Sequence, residues 1–342
     1  MTLSYFLLSG EHPSLPYTEL CSVLGLYGLD GQVELLDGRV AVADVPSEIH
    51  QEICMRTAYT RSTGFILSMQ PVGGDHTPDI SPSKELLETL VNQPTTFRTE
   101  VVELGGAEVD SMMIERLYGG QLMKMSGKLK VSLKNPEMVF LAIYTPNYVV
   151  AGLQHTRKPP NFFTSRRAKF RPFKIPSTLQ PKLARCMVNL ATQKLDSWVY
   201  DPFAGAGAIL IEAMLLGHKA VGTELKTWIA DGLLRNIRYY AGDHVVIVQA
   251  DARRPPFRRR FDAVVTDPPY GRSSTIPGKS LNRLLEDFFN SLLPLLAEDG
   301  RICITLPTTH QTVLEEIGLK ILSMHEIYIH KRLTRMLAVL ST

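Results

Sequence analysis

Apolar and polar positions follow two different rhythms along this chain. In the first half, residues 3–8 (Leu-Ser-Tyr-Phe-Leu-Leu) form a short apolar block that reads as a strand. Pro13 and Pro16 then lead into a helix expected over 18–26. Residues 31–43 place apolar pairs on both sides of Asp37-Gly38, which is a hairpin signal. Pro46-Ser47 opens a helix expected to reach residue 59, with Ser47 as its N-cap, and 64–69 reads as a strand. A turn-rich connection over 71–82 follows, and Ser83 caps a helix to residue 92. Residues 96–102 alternate as a strand, and 112–125 carry helical spacing. Three further strands are expected at 131–133, 138–144 and 147–152. This half is an α+β alternation with no acid–base pair, nucleophile or Gly-rich loop.

In the second half strands and helices alternate. Apolar blocks at 197–200, 220–223, 244–248, 261–265 and 301–306 read as buried strands. Helices are expected at 209–216, 227–241, 281–296 and 308–317, with Gly217 and Gly318 as stops. Residues 319–329 and 336–340 pair naturally as a terminal antiparallel hairpin. Strand, Gly-rich turn, helix is the βα unit of a Rossmann-like sheet, and such sheets bind ligands beyond the carboxyl ends of their strands.

The polar residues at those strand ends carry the candidate chemistry. The first strand runs into Asp201-Pro202-Phe203-Ala204-Gly205-Ala206-Gly207-Ala208, where Gly205 and Gly207 let the backbone approach a ligand. The second ends at Glu224-Leu225, at the spacing where a carboxylate meets ribose hydroxyls. The third is followed by Asp251-Ala252, where Asp251 can accept from an adenine amine. The loop is not the dinucleotide G-x-G-x-x-G but Ala-Gly-Ala-Gly-Ala with Asp201 ahead of it, and a dinucleotide needs helix N-terminal amides for its pyrophosphate. A cofactor without phosphate, such as S-adenosylmethionine, fits better, with Asp201 near its ammonium group. The fourth strand ends in Asp267-Pro268-Pro269-Tyr270. Prolines lack backbone donors, so their carbonyls are free to accept. Asp267 and a carbonyl of Pro268 or Pro269 suit an exocyclic amine on a flat base, with Tyr270 covering the ring. Residues 271–279 are polar and Gly/Pro-punctuated, a loop able to close over substrate.

Composition narrows the classes. The 342 residues are 44% hydrophobic and 21% charged, ordinary for a soluble globular protein of two or three domains. Four separated cysteines (Cys21, Cys54, Cys186, Cys303) form no zinc or disulfide pattern and read as buried apolar residues in a reduced, cytoplasmic protein. No signal peptide and no membrane span are expected. Net charge is only +3, but cations cluster at Arg157, Lys158, Arg166, Arg167, Lys169, Arg171 and Lys174, at Arg253–Arg260, and at Lys331, Arg332 and Arg335. Such local patches suit a polyanion. In the first patch Phe162, Phe163, Phe170 and Phe173 alternate with the cations and are expected to anchor this segment to a domain.

The ordered strand-end motifs resemble those of the class I S-adenosylmethionine-dependent methyltransferases, and Asp267-Pro268-Pro269-Tyr270 looks like the motif of their amino-methylating branch. Phe170-Arg171-Pro172-Phe173, Ser177-Thr178-Leu179-Gln180-Pro181-Lys182-Leu183-Ala184-Arg185 and Val188-Asn189-Leu190 resemble the start of the catalytic domain of the archaeal tRNA guanine-10 N2-methyltransferases. Ile329–Arg335 resembles that family's ending. Lys174 and Gln180 depart from it, standing where an aromatic and a histidine are expected. The resemblance implies a mostly parallel seven-stranded α/β methyltransferase domain at 176–342. Ahead of it would lie an N-terminal ferredoxin-like part at 1–46, a THUMP RNA-binding domain at 47–154 and a basic linker at 155–175. It implies that Thr178, Leu179 and Pro181 lie over the methionine part of the cofactor. Asp201, Pro202, Phe203, Gly205, Gly207, Glu224, Leu225, Asp251, Ala252 and Asp267 complete the cofactor site. Arg157, Lys158, Arg166, Arg167, Lys169 and Arg171 are the expected RNA contacts. The partner is tRNA, a small activator subunit is a second candidate partner, and a monomer is expected. Competing readings are methylation of another amine (adenine N6, cytosine N4, or a guanine elsewhere in tRNA or in ribosomal RNA), a non-catalytic RNA-binding protein, and a nicotinamide oxidoreductase, which the missing G-x-G-x-x-G disfavours.

Overall fold

The computed structural model describes residues 2–72, 83–106, 109–176, 178–269, 281–330 and 333–342. The first unit (Met1–Leu24 and Gly28–Pro159) is built on one eight-stranded sheet. Its strands are β1 (Thr2–Leu8), β2 (Glu34–Leu36), β3 (Val40–Val45), β4 (Thr60–Pro71), β5 (Thr95–Glu103), β6 (Leu129–Val131), β7 (Met138–Tyr144) and β8 (Tyr148–Arg157). They lie in the order β2-β3-β1-β4-β8-β7-β5-β6. The hairpin signal holds: β2 and β3 pair antiparallel from Leu36↔Val40, and Asp37 and Gly38 both have positive φ (43° and 75°). Helices α1 (Leu15–Gly25), α2 (His50–Arg56), α3 (Lys84–Leu90) and α4 (Ser111–Met125) fall near their expected positions.

Two local expectations fail. Ser47 begins a 3₁₀ turn and caps nothing with its side chain, so the helix starts at His50. It also stops at Arg56, because Tyr59 and Thr60 are drawn off toward the sheet, where β4 begins. The buried Glu19 carboxylate accepts the backbone N–H groups of Ala58 and Tyr59, which satisfies that departing segment. Ser83 does cap α3, accepting from the Leu86 N–H at 3.4 Å. β1 pairs β4, so residues on both sides of position 46 share one sheet. β8 runs to Arg157, three residues into the segment read as linker. Apolar residues pack on both faces of the sheet: Phe97, Tyr118, Phe140 and Leu122 in one cluster, Tyr5, Val40, Ile143 and Val150 in another.

The second unit (Pro160–Thr342, with Gly25–Tyr27) is the expected seven-stranded sheet. After α5 (Pro181–Ala191) come β9 (Trp198–Asp201), α6 (Ala208–Leu215), β10 (Lys219–Glu224), α7 (Thr227–Ala241), β11 (Val245–Gln249), β12 (Phe261–Thr266), α8 (Leu281–Leu292), β13 (Leu296–Pro307), α9 (Gln311–Glu316), β14 (Lys320–His330) and β15 (Leu333–Ser341). The order is β11-β10-β9-β12-β13-β15-β14. β9 to β13 are parallel, and β15 runs antiparallel to both neighbours. α8 ends earlier than its apolar spacing suggested, and β13 starts at Leu296, whose apolar side chain enters the core with Phe288, Phe289 and Phe261. Cys54, Cys186 and Cys303 are buried, Cys21 is half-buried, and all four are free thiols. Among the described residues no helix is long and apolar enough to cross a membrane.

Candidate active site

The chain leaves β9 for β10 and β11 on one side, then returns to β12 and β13 on the other. This reversal between β9 and β12 opens a crevice at the carboxyl ends of the strands. A cleft of about 310 Å³, its open mouth included, lies there. Its lining includes Thr178, Leu179, Asp201, Phe203, Gly205 and Asp267. The sequence expectation and the topology therefore bring residues from three separate segments together.

The floor is the glycine loop. Gly205 and Gly207 have φ of 50° and 85°, a region that glycine enters without cost. A Cβ on Gly207 would also come within 2.3 Å of Leu233 on α7, so the loop packs down onto that helix. Glu224, at the end of β10, accepts from the Gly205 N–H at 3.1 Å and the Lys226 N–H at 3.0 Å. It fixes the loop while its other lone pairs stay available. Asp201 is 1% exposed. It accepts the Phe203 N–H at 3.1 Å and the Thr266 hydroxyl at 3.0 Å, and no described cation pairs with it. Burial pushes its carboxyl up to about 7; the Thr266 hydroxyl and Phe203 N–H pull down, while the charges of Asp267 and Glu224 push further up.

Asp267 is half-buried on the far side of the cleft. Its Oδ1 accepts the Thr305 hydroxyl at 2.5 Å and its Oδ2 accepts from Arg335 Nη1 at 3.3 Å. Pro268 is buried and Pro269 half-buried beside it. Tyr270, the loop 271–279, Ser177, Lys331 and Arg332 lie outside the described residues. Asp251 stands two residues past β11, half-buried, and Arg253 grips both its oxygens, with Nη2 2.6 Å from Oδ2. That hydrogen bonding holds its carboxyl below the usual range. Ala252 is buried, Leu225 is 50% exposed, and Pro181 is buried as the first residue of α5.

The basic segment after β8 needs correction. Arg166 and Arg171, read as RNA contacts, turn inward. Arg166 Nε lies 2.6 Å from Glu212 on α6, and Arg185 Nε lies 2.7 Å from the same carboxylate. Arg171 is 2% exposed and donates to the Arg166 carbonyl. Both guanidinium groups on Glu212 also lie within 5.1–5.6 Å of the Phe162 and Phe163 ring centres. The anchoring expected of the phenylalanines holds for Phe163, which is buried, and for Phe173, which packs against Gly232. Asn236 on α7 bonds Phe173 N–H and C=O and also donates to the Ala206 carbonyl. One buried amide thus ties this segment to the glycine loop. Arg167 and Lys169 remain exposed, Arg157 pairs with Glu100 at 3.3 Å, and Lys158 donates to the Thr57 carbonyl. Thr305 and Thr266 were not singled out from sequence. Arg253 and Arg335 each had a signal there, as part of a basic cluster.

The site fits S-adenosylmethionine. A buried carboxylate with no cation of its own suits an ammonium group and repels a pyrophosphate. Fold and site together define a class I S-adenosylmethionine-dependent methyltransferase.

The comparisons agree and go further. The family model described as "RMKL-like, methyltransferase domain" matches residues 168–329. The tRNA (guanine(10)-N2)-dimethyltransferase of Methanothermobacter thermautotrophicus is 32% identical over 98% of each chain. The enzyme of that name from Methanocaldococcus jannaschii is 29% identical over 96% of this chain and 97% of its own. The crystal structure of TrmN from Thermus thermophilus shares the fold, with a TM-score of 0.57 at 22% identity over 99% of both chains. The chain belongs to the tRNA (guanine(10)-N2)-dimethyltransferase family.

Proposed function

We propose that this protein transfers methyl groups from S-adenosylmethionine to the exocyclic N2 of guanine at position 10 of tRNA, giving the monomethyl and then the dimethyl base. The observation that carries the reading is the pair of carboxylates, Asp201 and Asp267, facing one cleft across the β9–β12 switch point. Asp201 would hold the ammonium of the cofactor, Glu224 the ribose hydroxyls and Asp251 the adenine amine. When bound, the sulfonium supplies an electrophilic methyl carbon.

The chain's own residues would do the rest. The lone pair of a guanine N2 is delocalised into the ring, which makes it a poor nucleophile. Asp267 and a carbonyl of Pro268 or Pro269 would accept its N–H groups and aim the lone pair across the cleft. Asp267 also favours the positive charge that develops on the amine. These are positioning and electrostatic preorganisation. Asp267 would take the proton or pass it to water. Tyr270 is the sequence's candidate for covering the base. A stem guanine must leave the stack first, at a cost of roughly a few kcal/mol. Exposed Arg167 and Lys169 would offset part of that through phosphate contacts. The first unit is read as the ferredoxin-like and THUMP parts that hold the tRNA, with the protein acting as a monomer and a small activator subunit as its second partner.

The test is to incubate the protein with unmodified tRNA transcripts and labelled S-adenosylmethionine, then locate the methylated nucleotide by nuclease digestion and mass spectrometry. N2-methylguanosine at position 10, with dimethylguanosine accumulating later, is the expected product. Methylation of a different base, or of none in tRNA, would sink the reading.

A further inference from the structure

The carboxylate assigned to the amine is not free to turn. A terminal carboxylate rotates easily about its last torsion, where the wells are broad. Here Thr305 from β13 holds Oδ1 and Arg335 from β15 holds Oδ2. Thr305 is fully buried, and Arg335 and Asp267 are each only 18% exposed at the side chain. Topology explains why residues 305 and 335 arrive together. β15 runs antiparallel, so its start lies at the edge where the parallel strands end, and Arg335 sits opposite Pro307 of β13 and Ile327 of β14. The terminal hairpin therefore delivers Arg335 to a strand-end edge where the charges of Asp267 and Glu224 act on Asp201.

We propose that Arg335 and Thr305 are positioning residues, which fix the plane of the Asp267 carboxylate so that it is aimed at the exocyclic amine of the target base. Each carboxylate oxygen has about two acceptor sites. The β13–β15 side holds one on each oxygen, and the same carboxylate lines the cleft. Arg335 also counters the repulsion between Asp267 and Asp201. The inference rests on the assignment of Asp267 to the amine.

A purely structural ion pair would predict lost stability and little else. The test therefore compares Arg335→Met, Arg335→Lys, Thr305→Val and Thr305→Ser by single-turnover methyl transfer, with cofactor affinity and melting temperature measured on the same samples. Arg335→Met is expected to slow transfer about 10- to 100-fold while cofactor affinity stays within about threefold. Arg335→Lys, which keeps the charge but not the planar fork, recovers part of the rate. Thr305→Val slows transfer and Thr305→Ser restores it. In an Asp267→Asn background, Arg335→Met costs less than about twofold more, because the residue acts through a group already altered. A full loss in that background, or a rate that falls in step with cofactor affinity or melting temperature, overturns the proposal. So does an Arg335→Met enzyme as fast as the parent. The parent separates the two ideas. Active parent with unaffected variants removes the positioning role alone, whereas a parent that methylates a different base corrects the substrate and leaves the ratios readable. A parent that methylates no nucleic acid overturns both.

Discussion

Glu212 and Asp201 are each about 1% exposed, and they sit in adjacent elements of the same unit, yet the chain treats them differently. Around Glu212, Arg166 and Arg185 close at 2.6 and 2.7 Å, and two phenylalanines cover the guanidinium groups. Around Asp201 the described residues supply only a hydroxyl and an amide N–H. A buried charge left without a counter-charge is costly. The fold meets that cost itself at Glu212. At Asp201 it is met by neutralisation, or by a cation from outside the described residues. The difference separates an acid that its own fold pairs from one that the described residues leave without a cation, although the two look alike in burial.

The largest effect should come from Glu212→Ala, which strands the buried Arg185 and the half-buried Arg166. Loss of about 3–5 kcal/mol is expected, seen as a melting temperature lower by about 10 °C for a unit of this size. A change below about 1 kcal/mol would erase the contrast.

Asp201→Asn should do the reverse. It keeps the shape and removes the charge, so cofactor affinity should drop about 10- to 100-fold, the worth of a charge-assisted bond. Stability of the unligated protein at pH 8 should rise or hold. Calorimetric titration beside a thermal melt reads both, and a variant that binds the cofactor as well as the parent would remove Asp201 from the ammonium site.

The same carboxyl gives a pH signature. It is raised by burial from 3.8 to about 7, so the folded state binds a proton that the unfolded state has released. Its contribution to stability is present below about pH 4 and is lost as pH rises through about 7, by at most on the order of 4 kcal/mol. The slope should show as the difference between parent and Asp201→Asn melts across that window. Cofactor affinity should move oppositely, tightening as pH approaches 7 and levelling above it. Parallel curves for the two proteins would contradict the assignment.

The smallest effects belong to the exposed cations. Arg167→Ala and Lys169→Ala should each weaken tRNA binding a few-fold and lower the salt slope by about 0.9 per lost phosphate contact. Arg166→Met should instead lower melting temperature. If Arg166→Met changes only the salt slope, the inward reading of that residue fails.

Neighbours in sequence parted company in just this segment. Arg166 and Arg167 carry the same charge and sit in the same basic run, but one is half-buried against Glu212 and the other faces solvent. A charge run does not say which way each side chain points. That depends on a carboxylate 46 residues downstream. Thr305 was illegible for a similar reason. A threonine near the end of a strand reads as a β-former, and only pairing of β13 beside β12 brings its hydroxyl to Asp267. Ser47 shows the local counterpart: its residue type favours a cap, but the backbone takes a 3₁₀ turn first.

What the sequence determined by itself was the order of strands and helices in the second unit and the acids at their ends. Apolar periodicity and strand-end polarity are local properties, and a parallel sheet forces strand ends to one edge. What the tertiary structure alone decided was the company each charge keeps. Asp251 meets Arg253, Asp267 meets Arg335 and Thr305, Glu212 meets two arginines, and Asp201 meets no described cation. The reason is physical: a charge interacts over a few ångströms of space, and except for Arg253 the groups that pair here lie tens of residues apart along the chain.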